Sequence, residues 1–180
     1  GKSERTGDVI GARGWESALV VTDPGIRAAG IIDGVEASLE AEGIDYEVYD
    51  DVEPNPTTEM VADALATLNA GGFDVVIAVG GGSVIDTAKC ATLLKTNSGD
   101  LSAYEVNDPE DVTAGNIENH THPLITIPTT AGTGSEVDYW AVITAPDRQF
   151  KMAIGQPPLS PGGPYLGADV SLVDPELTAP

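Results

Sequence analysis

Asp74-Val75-Val76-Ile77-Ala78-Val79-Gly80-Gly81-Gly82-Ser83-Val84-Ile85-Asp86-Thr87-Ala88-Lys89 is the stretch on which the fold turns. Its first part is an unbroken apolar run rich in β-branched residues, the pattern of a strand buried on both faces. Three glycines follow, and beyond them Val84, Ala88, Ala91 and Leu94 recur at helical spacing. A strand, a tight glycine turn and a helix result. In an α/β sheet such a junction suits an anion: the N–H groups of the first helical turn point outward, the helix dipole favours negative charge, and glycine lets a pyrophosphate approach the main chain. Three consecutive glycines exceed what a bare connection requires, so the segment predicts a phosphate site. It is not the usual dinucleotide fingerprint, since Ile85 stands where the third glycine of GxGxxG belongs, nor a Walker A loop, since Ser83 stands where lysine is needed.

Towards the N-terminus, Ala18 to Val21 is a second buried-strand run, closed by Thr22-Asp23-Pro24-Gly25. Ile32, Val35 and Leu39 then share a helical stripe that stops at Gly43. Ile44, Tyr46 and Val48 alternate with polar neighbours, predicting a strand with one wetter face. Asn55-Pro56 reads as a helix N-cap with proline in the first turn, ahead of Val61, Ala64, Leu65 and Leu68 and a stop at Gly71-Gly72. Towards the C-terminus, residues 97–119 are polar and acidic and predict an irregular excursion, and Leu124 to Ile127 a strand. Val137 to Ile143 and Gln149 to Ile154 predict a small β-hairpin around Ala145-Pro146-Asp147-Arg148. Residues 156–167 are rich in Pro and Gly and predict a loop, and Val170 to Val173 a last short strand. The alternation predicts an α/β fold, a mostly parallel Rossmann-like sheet flanked by helices, as one domain over residues 1–180. Both ends are expected to be cut, since the chain opens in a polar segment and stops where a new element could begin.

The 180 residues are 41% hydrophobic, enough for one full-sized core. Asp and Glu number 29 against 8 Lys and Arg, for a net charge of -21. Nucleic acid is therefore an unsuitable partner, because its phosphates would meet a negative surface with no counterion release to gain. The acids are interleaved with apolar runs, which argues for an acidic surface on a folded domain rather than for disorder. Only Lys2, Lys89, Lys95 and Lys151 remain as lysines, a balance that suggests a salt-loving source in which high salt screens self-repulsion. The single cysteine, Cys90, excludes an intrachain disulfide and Cys-rich metal sites. With no apolar run of membrane-spanning length and no signal-like segment, no membrane partner is expected and a cytoplasmic location is predicted.

Pro128-Thr129-Thr130-Ala131-Gly132-Thr133-Gly134-Ser135-Glu136 follows a predicted strand and offers hydroxyls and pliable backbone to a ligand at a sheet edge. His120 and His122 form an H-x-H pair in a polar loop without an obvious third ligand, so a metal reading is rejected.

Together these segments resemble the iron-containing alcohol dehydrogenase family, whose nucleotide domain carries GGGSxxDxAK and, downstream, PTTAGTGSE. They stand here as Gly80 to Lys89 and Pro128 to Glu136. Val20-Val21-Thr22-Asp23, Val52-Glu53-Pro54-Asn55-Pro56-Thr57 and Val173-Asp174-Pro175-Glu176-Leu177 match further family segments in the same order. Residues 156–167 depart from the pattern, being longer and richer in Pro and Gly than the family's link.

The resemblance implies a dehydroquinate synthase-like N-terminal domain, without the C-terminal helical metal domain. It implies a complete enzyme that moves a hydride between a small alcohol or aldehyde and a nicotinamide cofactor, with iron or another divalent metal polarising the oxygen. Asp23 matches the acid used on the adenosine ribose, which favours NAD over NADP, and Asn55 a position on the adenine side. Gly81, Gly82 and Ser83 should hold the pyrophosphate with Asp86 nearby. Thr129, Thr130 and Thr133 match threonines around the cofactor, and Lys151 a lysine near the ribose and nicotinamide. No residue matches the family's metal-ligating Asp and three His, so no metal or catalytic residue is assigned and the chain alone is expected to be inactive. A hydroxyacid-oxoacid transhydrogenase, which shares these motifs, and a non-catalytic nucleotide-binding module are the alternatives. Assembly into a homo-oligomer stays open.

Overall fold

The computed structural model describes residues 1–106 and 116–178. Five strands, β1 (Ser17–Val21), β2 (Asp45–Tyr49), β3 (Val75–Gly80), β4 (Leu124–Pro128) and β7 (Val170–Ser171), form a sheet in the order β2-β1-β3-β4-β7 with every pair parallel. β5 (Trp140–Ala145) and β6 (Phe150–Gly155) pair antiparallel as the expected hairpin. The helices are α1 (Thr6–Gly11), α2 (Pro24–Ala28), α3 (Asp33–Ala41), α4 (Thr58–Gly71), α5 (Gly82–Thr96) and α6 (Pro175–Thr178).

The apolar runs are explained by what covers each face. Every residue of β3 is buried. Its side chains alternate between two cores. Val75, Ile77 and Val79 join Ala18, Val20, Ile10, Ile32, Val35 and Leu39 on the α1 and α3 side. Val76 and Ala78 join Leu19, Val21, Ala64, Leu68, Val84, Ile85 and Ala88 on the α4 and α5 side. Each fully buried Val, Leu or Ile contributes roughly 1.5–3 kcal/mol by leaving water. A third cluster lies under the hairpin, where Cys90 and Leu93 of α5 meet Ala141, Ile143, Met152 and Ile154. α5 is thus buried on two sides.

The structure adds an N-terminal element and corrects two local readings. The polar N-terminal segment is ordered: a 3₁₀ turn at Ser3–Arg5 leads into α1, and Asp174 accepts from the Ser3 amide and hydroxyl at 2.9 and 2.8 Å. The N-cap of α4 is Thr57, whose hydroxyl accepts from the Met60 amide, and not Asn55. The physical reason is that the Pro56 carbonyl is held by the Thr144 amide at 2.8 Å, which keeps Thr57 extended and delays the helix. Asn55 itself adopts φ 60°, a left-handed conformation that asparagine tolerates. Within the predicted excursion, Leu101–Tyr104 forms a 3₁₀ turn, while residues 107–115 lie outside the described residues. Gly43 and Gly72, with φ 68° and 64°, close α3 and α4 as read from the sequence. Among the described residues no helix is long and apolar enough to cross a membrane.

Candidate nucleotide-binding site

The chain leaves β1 to build β2 on one side of it and then crosses to build β3 on the other. That reversal, between β1 and β3, opens a crevice at the carboxyl ends of the strands, the place where parallel α/β sheets take ligands. A cleft of about 680 Å³ lies there, lined by Asp23 to Ile26 after β1, Val52 to Pro54 after β2, Gly81 to Val84 after β3, and Thr129 and Thr130 after β4. Four successive loops meet at one edge.

The floor is the start of α5. Gly81 is its N-cap residue, no side chain caps it, and the first amide bonded back into the helix is that of Ile85, to the Gly81 carbonyl at 3.1 Å. The amides ahead of it are orphan donors at the positive end of a 15-residue helix. An anion placed there would satisfy them. The threonine loop closes over the same glycines. A Cβ on Gly81 would lie 3.1 Å from Thr130 Oγ1, and one on Gly82 would lie 3.2 Å from Ser135 Oγ and 3.7 Å from Thr133 Cγ2. The two motifs therefore pack on each other, and that close approach favours glycine at both positions.

Asp23 stands at the rim after β1. Its Oδ1 accepts from the Ile26 amide at 2.9 Å, capping α2, which leaves Oδ2 for hydroxyl donors in the cleft. Thr22, beneath it, ties β1 to β3 by donating from Oγ1 to the Val79 carbonyl at 2.7 Å.

Of the residues singled out from sequence, Asp23, Gly81, Gly82, Ser83, Thr129 and Thr130 line the cleft together. Thr133 sits beside Gly82. Asn55 and Lys151 are paired with each other, Lys151 Nζ donating to Asn55 Oδ1 at 2.7 Å, and neither lines the cleft. Asp86 faces the hairpin: Oδ2 accepts from the Val142 amide at 2.9 Å, and Oδ1 is buried without a partner among the described residues. Burial outweighs the Val142 bond and the nearby Lys89 charge, and pushes the Asp86 carboxyl up to about 6. His122 is held below the usual imidazole range, chiefly by burial.

Sequence reasoning missed two contributions. Val52, Glu53 and Pro54 line the cleft, a role readable from their position just after a strand next to the switch point. Lys89, to which the sequence gives no role beyond its place in the GGGSxxDxAK motif, is fully buried.

The family model for iron-containing alcohol dehydrogenase matches residues 1–175, with the glycine cradle and the threonine loop inside the match. The chain belongs to the iron-containing alcohol dehydrogenase family. It is 42% identical over 177 residues, 98% of this chain and 41% of the relative, to a choline dehydrogenase of Bacillus subtilis (strain 168). The crystal structure of a 1,3-propanediol oxidoreductase superimposes with a TM-score of 0.83 at 32% identity, over 97% of this chain and 42% of that one. An NADH-dependent butanol dehydrogenase A from Thermotoga maritima gives a TM-score of 0.82 at 28% identity, over 99% and 42%. The chain thus spans about two fifths of the length of these proteins. The described residues contain no group of three or more His, Cys, Asp or Glu placed to hold a metal, so they do not fit the iron of the family's name.

Proposed function

We propose that residues 1–180 form one nucleotide-binding domain that holds NAD(H) for an alcohol dehydrogenase. The observation that carries this is the meeting of the uncapped start of α5, the Asp23 carboxylate and the threonine loop in one cleft at the switch point. The residues fit the cofactor's parts. The amides of the Gly81-Gly82-Ser83 turn face the pyrophosphate, Asp23 accepts from the adenosine ribose hydroxyls and repels a 2′-phosphate, and Val52 and Pro54, either side of Glu53, give adenine an apolar contact. Thr129, Thr130 and Thr133 supply hydroxyls further along the cleft, and Asp86, Asn55 and Lys151 act from the hairpin side. NAD, when bound, accepts or gives up the hydride. This chain's residues bind it, orient it and set which nucleotide enters.

The substrate is a small alcohol or aldehyde. The identity to a choline dehydrogenase favours, as a second reading, a positively charged alcohol, which the net charge of -21 would also attract. We place the metal ligands in the part of the relatives that this chain does not span. The enzyme is assigned to the cytoplasm, where NAD(H) is available, and to a salt-rich cell, where screening relieves its charge.

The test is a spectrophotometric assay of the enzyme that contains this chain, with NAD+ and either choline or an uncharged alcohol of similar size. Reduction of NAD+ with at least one of them supports the reading. Turnover only when a 2-oxo acid replaces free NAD+ overturns it in favour of a transhydrogenase.

A further inference from the structure

Side chains of α5 grip the outer edge of β5 at alternate residues. Lys89, with none of its surface exposed, donates from Nζ to the Asp138 carbonyl at 3.1 Å, to Asp138 Oδ1 at 2.5 Å and to the Trp140 carbonyl at 2.9 Å. One turn earlier Asp86 accepts from the Val142 amide at 2.9 Å. The next outward amide, that of Thr144, donates to the Pro56 carbonyl at 2.8 Å. From β6, Lys151 Nζ reaches Asn55 Oδ1 at 2.7 Å.

These contacts make the hairpin a strut. One end is fixed to α5, whose first turn forms the glycine wall of the cleft. The other is fixed to Asn55 and Pro56, which directly follow Val52, Glu53 and Pro54, lining residues of the same cleft. A charge at position 89 is costly to bury, and an apolar side chain could fill the space without that cost. What the ammonium adds is direction: its three protons meet three acceptors, two of them on Asp138 and one on Trp140.

We propose that Lys89 is a positioning residue, which through the hairpin sets the separation between the glycine wall and the Val52 to Pro54 wall. The proposal rests on the NAD(H) reading for its consequence in binding, but the strut itself is a property of the ligand-free protein.

The test uses Lys89→Met combined with Asp138→Asn, so that no unpaired carboxylate remains, together with Lys151→Met, an exposed change that cuts the contact to Asn55 and leaves the left-handed backbone there untouched. In the ligand-free protein, amide hydrogen exchange at Thr144, Met60 and Val61 is expected to rise severalfold in the Lys89 variant while Ile77 and Ala78 stay unchanged. Unchanged exchange at Met60 and Val61 overturns the strut, whatever NAD+ does. In calorimetry, each variant is expected to lose about tenfold in NAD+ affinity and the combined variant no more than the larger single loss, because either cut frees the same wall. Losses that multiply, or an unaltered affinity in the Lys89 variant, overturn the positioning role. Absence of NAD+ binding by the unmodified protein defeats the cofactor reading instead, and leaves exchange to decide the strut. Should the Lys89 variant fail to fold, Lys151→Met alone decides: it must loosen Thr144 and Met60 and weaken NAD+ binding, and no change in either refutes the proposal.

Discussion

Asp23 and Ile26 are joined by a capping hydrogen bond of 2.9 Å that uses only one oxygen of the carboxylate. The same side chain therefore has a structural task towards α2 and a recognition task towards the cleft, and the two are separable. Asp23→Asn keeps an oxygen for the cap and removes the charge. It is expected to leave the unfolding midpoint nearly unchanged while the preference for NAD+ over NADP+ falls by about tenfold, as loss of one charge repulsion implies. Asp23→Ala should show the same loss of discrimination and in addition cost about 1 kcal/mol of stability through the lost cap. Calorimetry with both nucleotides and urea titrations of both variants check this; equal stability of the two variants would contradict the capping role.

Gly82→Val places a branched side chain where even a Cβ would already lie 3.2 Å from Ser135 Oγ. The expected result is a protein that still folds, because Ser135 needs to give by only a few tenths of an ångström at the Cβ, with NAD+ binding lost from calorimetry. Retained affinity would move the phosphate away from this turn.

Burial disfavours the charge of Asp86 and pushes its carboxyl up to about 6 in the folded state, above the ordinary aspartate value of 3.8. The folded state thus holds a proton that the unfolded chain has released between those values, so stability falls as pH rises from about 4 to about 6 and is level above. Asp86→Asn removes this penalty. Relative to the unmodified protein it should gain stability between pH 4 and pH 7, on the order of 2–3 kcal/mol at most, because the amide still accepts from Val142. Urea midpoints of both proteins measured across this range decide it, and a difference independent of pH would refute the buried-carboxylate account.

The excess of 29 acidic over 8 basic side chains predicts a melting temperature that climbs with KCl from 0.1 to about 3 M, as screening removes self-repulsion. A melting temperature unaffected by salt would remove the case for a salt-adapted protein.

The sheet could be read from the chain because both of its faces are covered, so that Ala18 to Val21 and Val75 to Val79 are continuous apolar runs rather than alternating ones. Gly43 and Gly72 marked helix ends because left-handed backbone selects glycine. The glycine and threonine segments pointed to the cleft for a similar reason: close main-chain approach restricts residue choice. The α4 cap was misplaced because Thr57 and Asn55 are both good caps, and the choice was made by Pro56 bonding to Thr144, 88 positions away in sequence. Lys89 was not recognised for the same reason. Nothing local distinguishes a lysine that reaches solvent from one that threads between a helix and a hairpin edge, and the acceptors it meets, on Asp138 and Trp140, are brought to it only by the tertiary fold.

We propose the cleft at the start of α5 as an NAD(H) site. Calorimetric titration of the protein with NAD+ and, separately, NADP+ tests it directly. The expected result is one NAD+ bound per chain, with NADP+ at least about tenfold weaker because of the Asp23 carboxylate. No binding heat with NAD+ at any temperature in a protein shown to be folded, or tighter binding of NADP+, would contradict it.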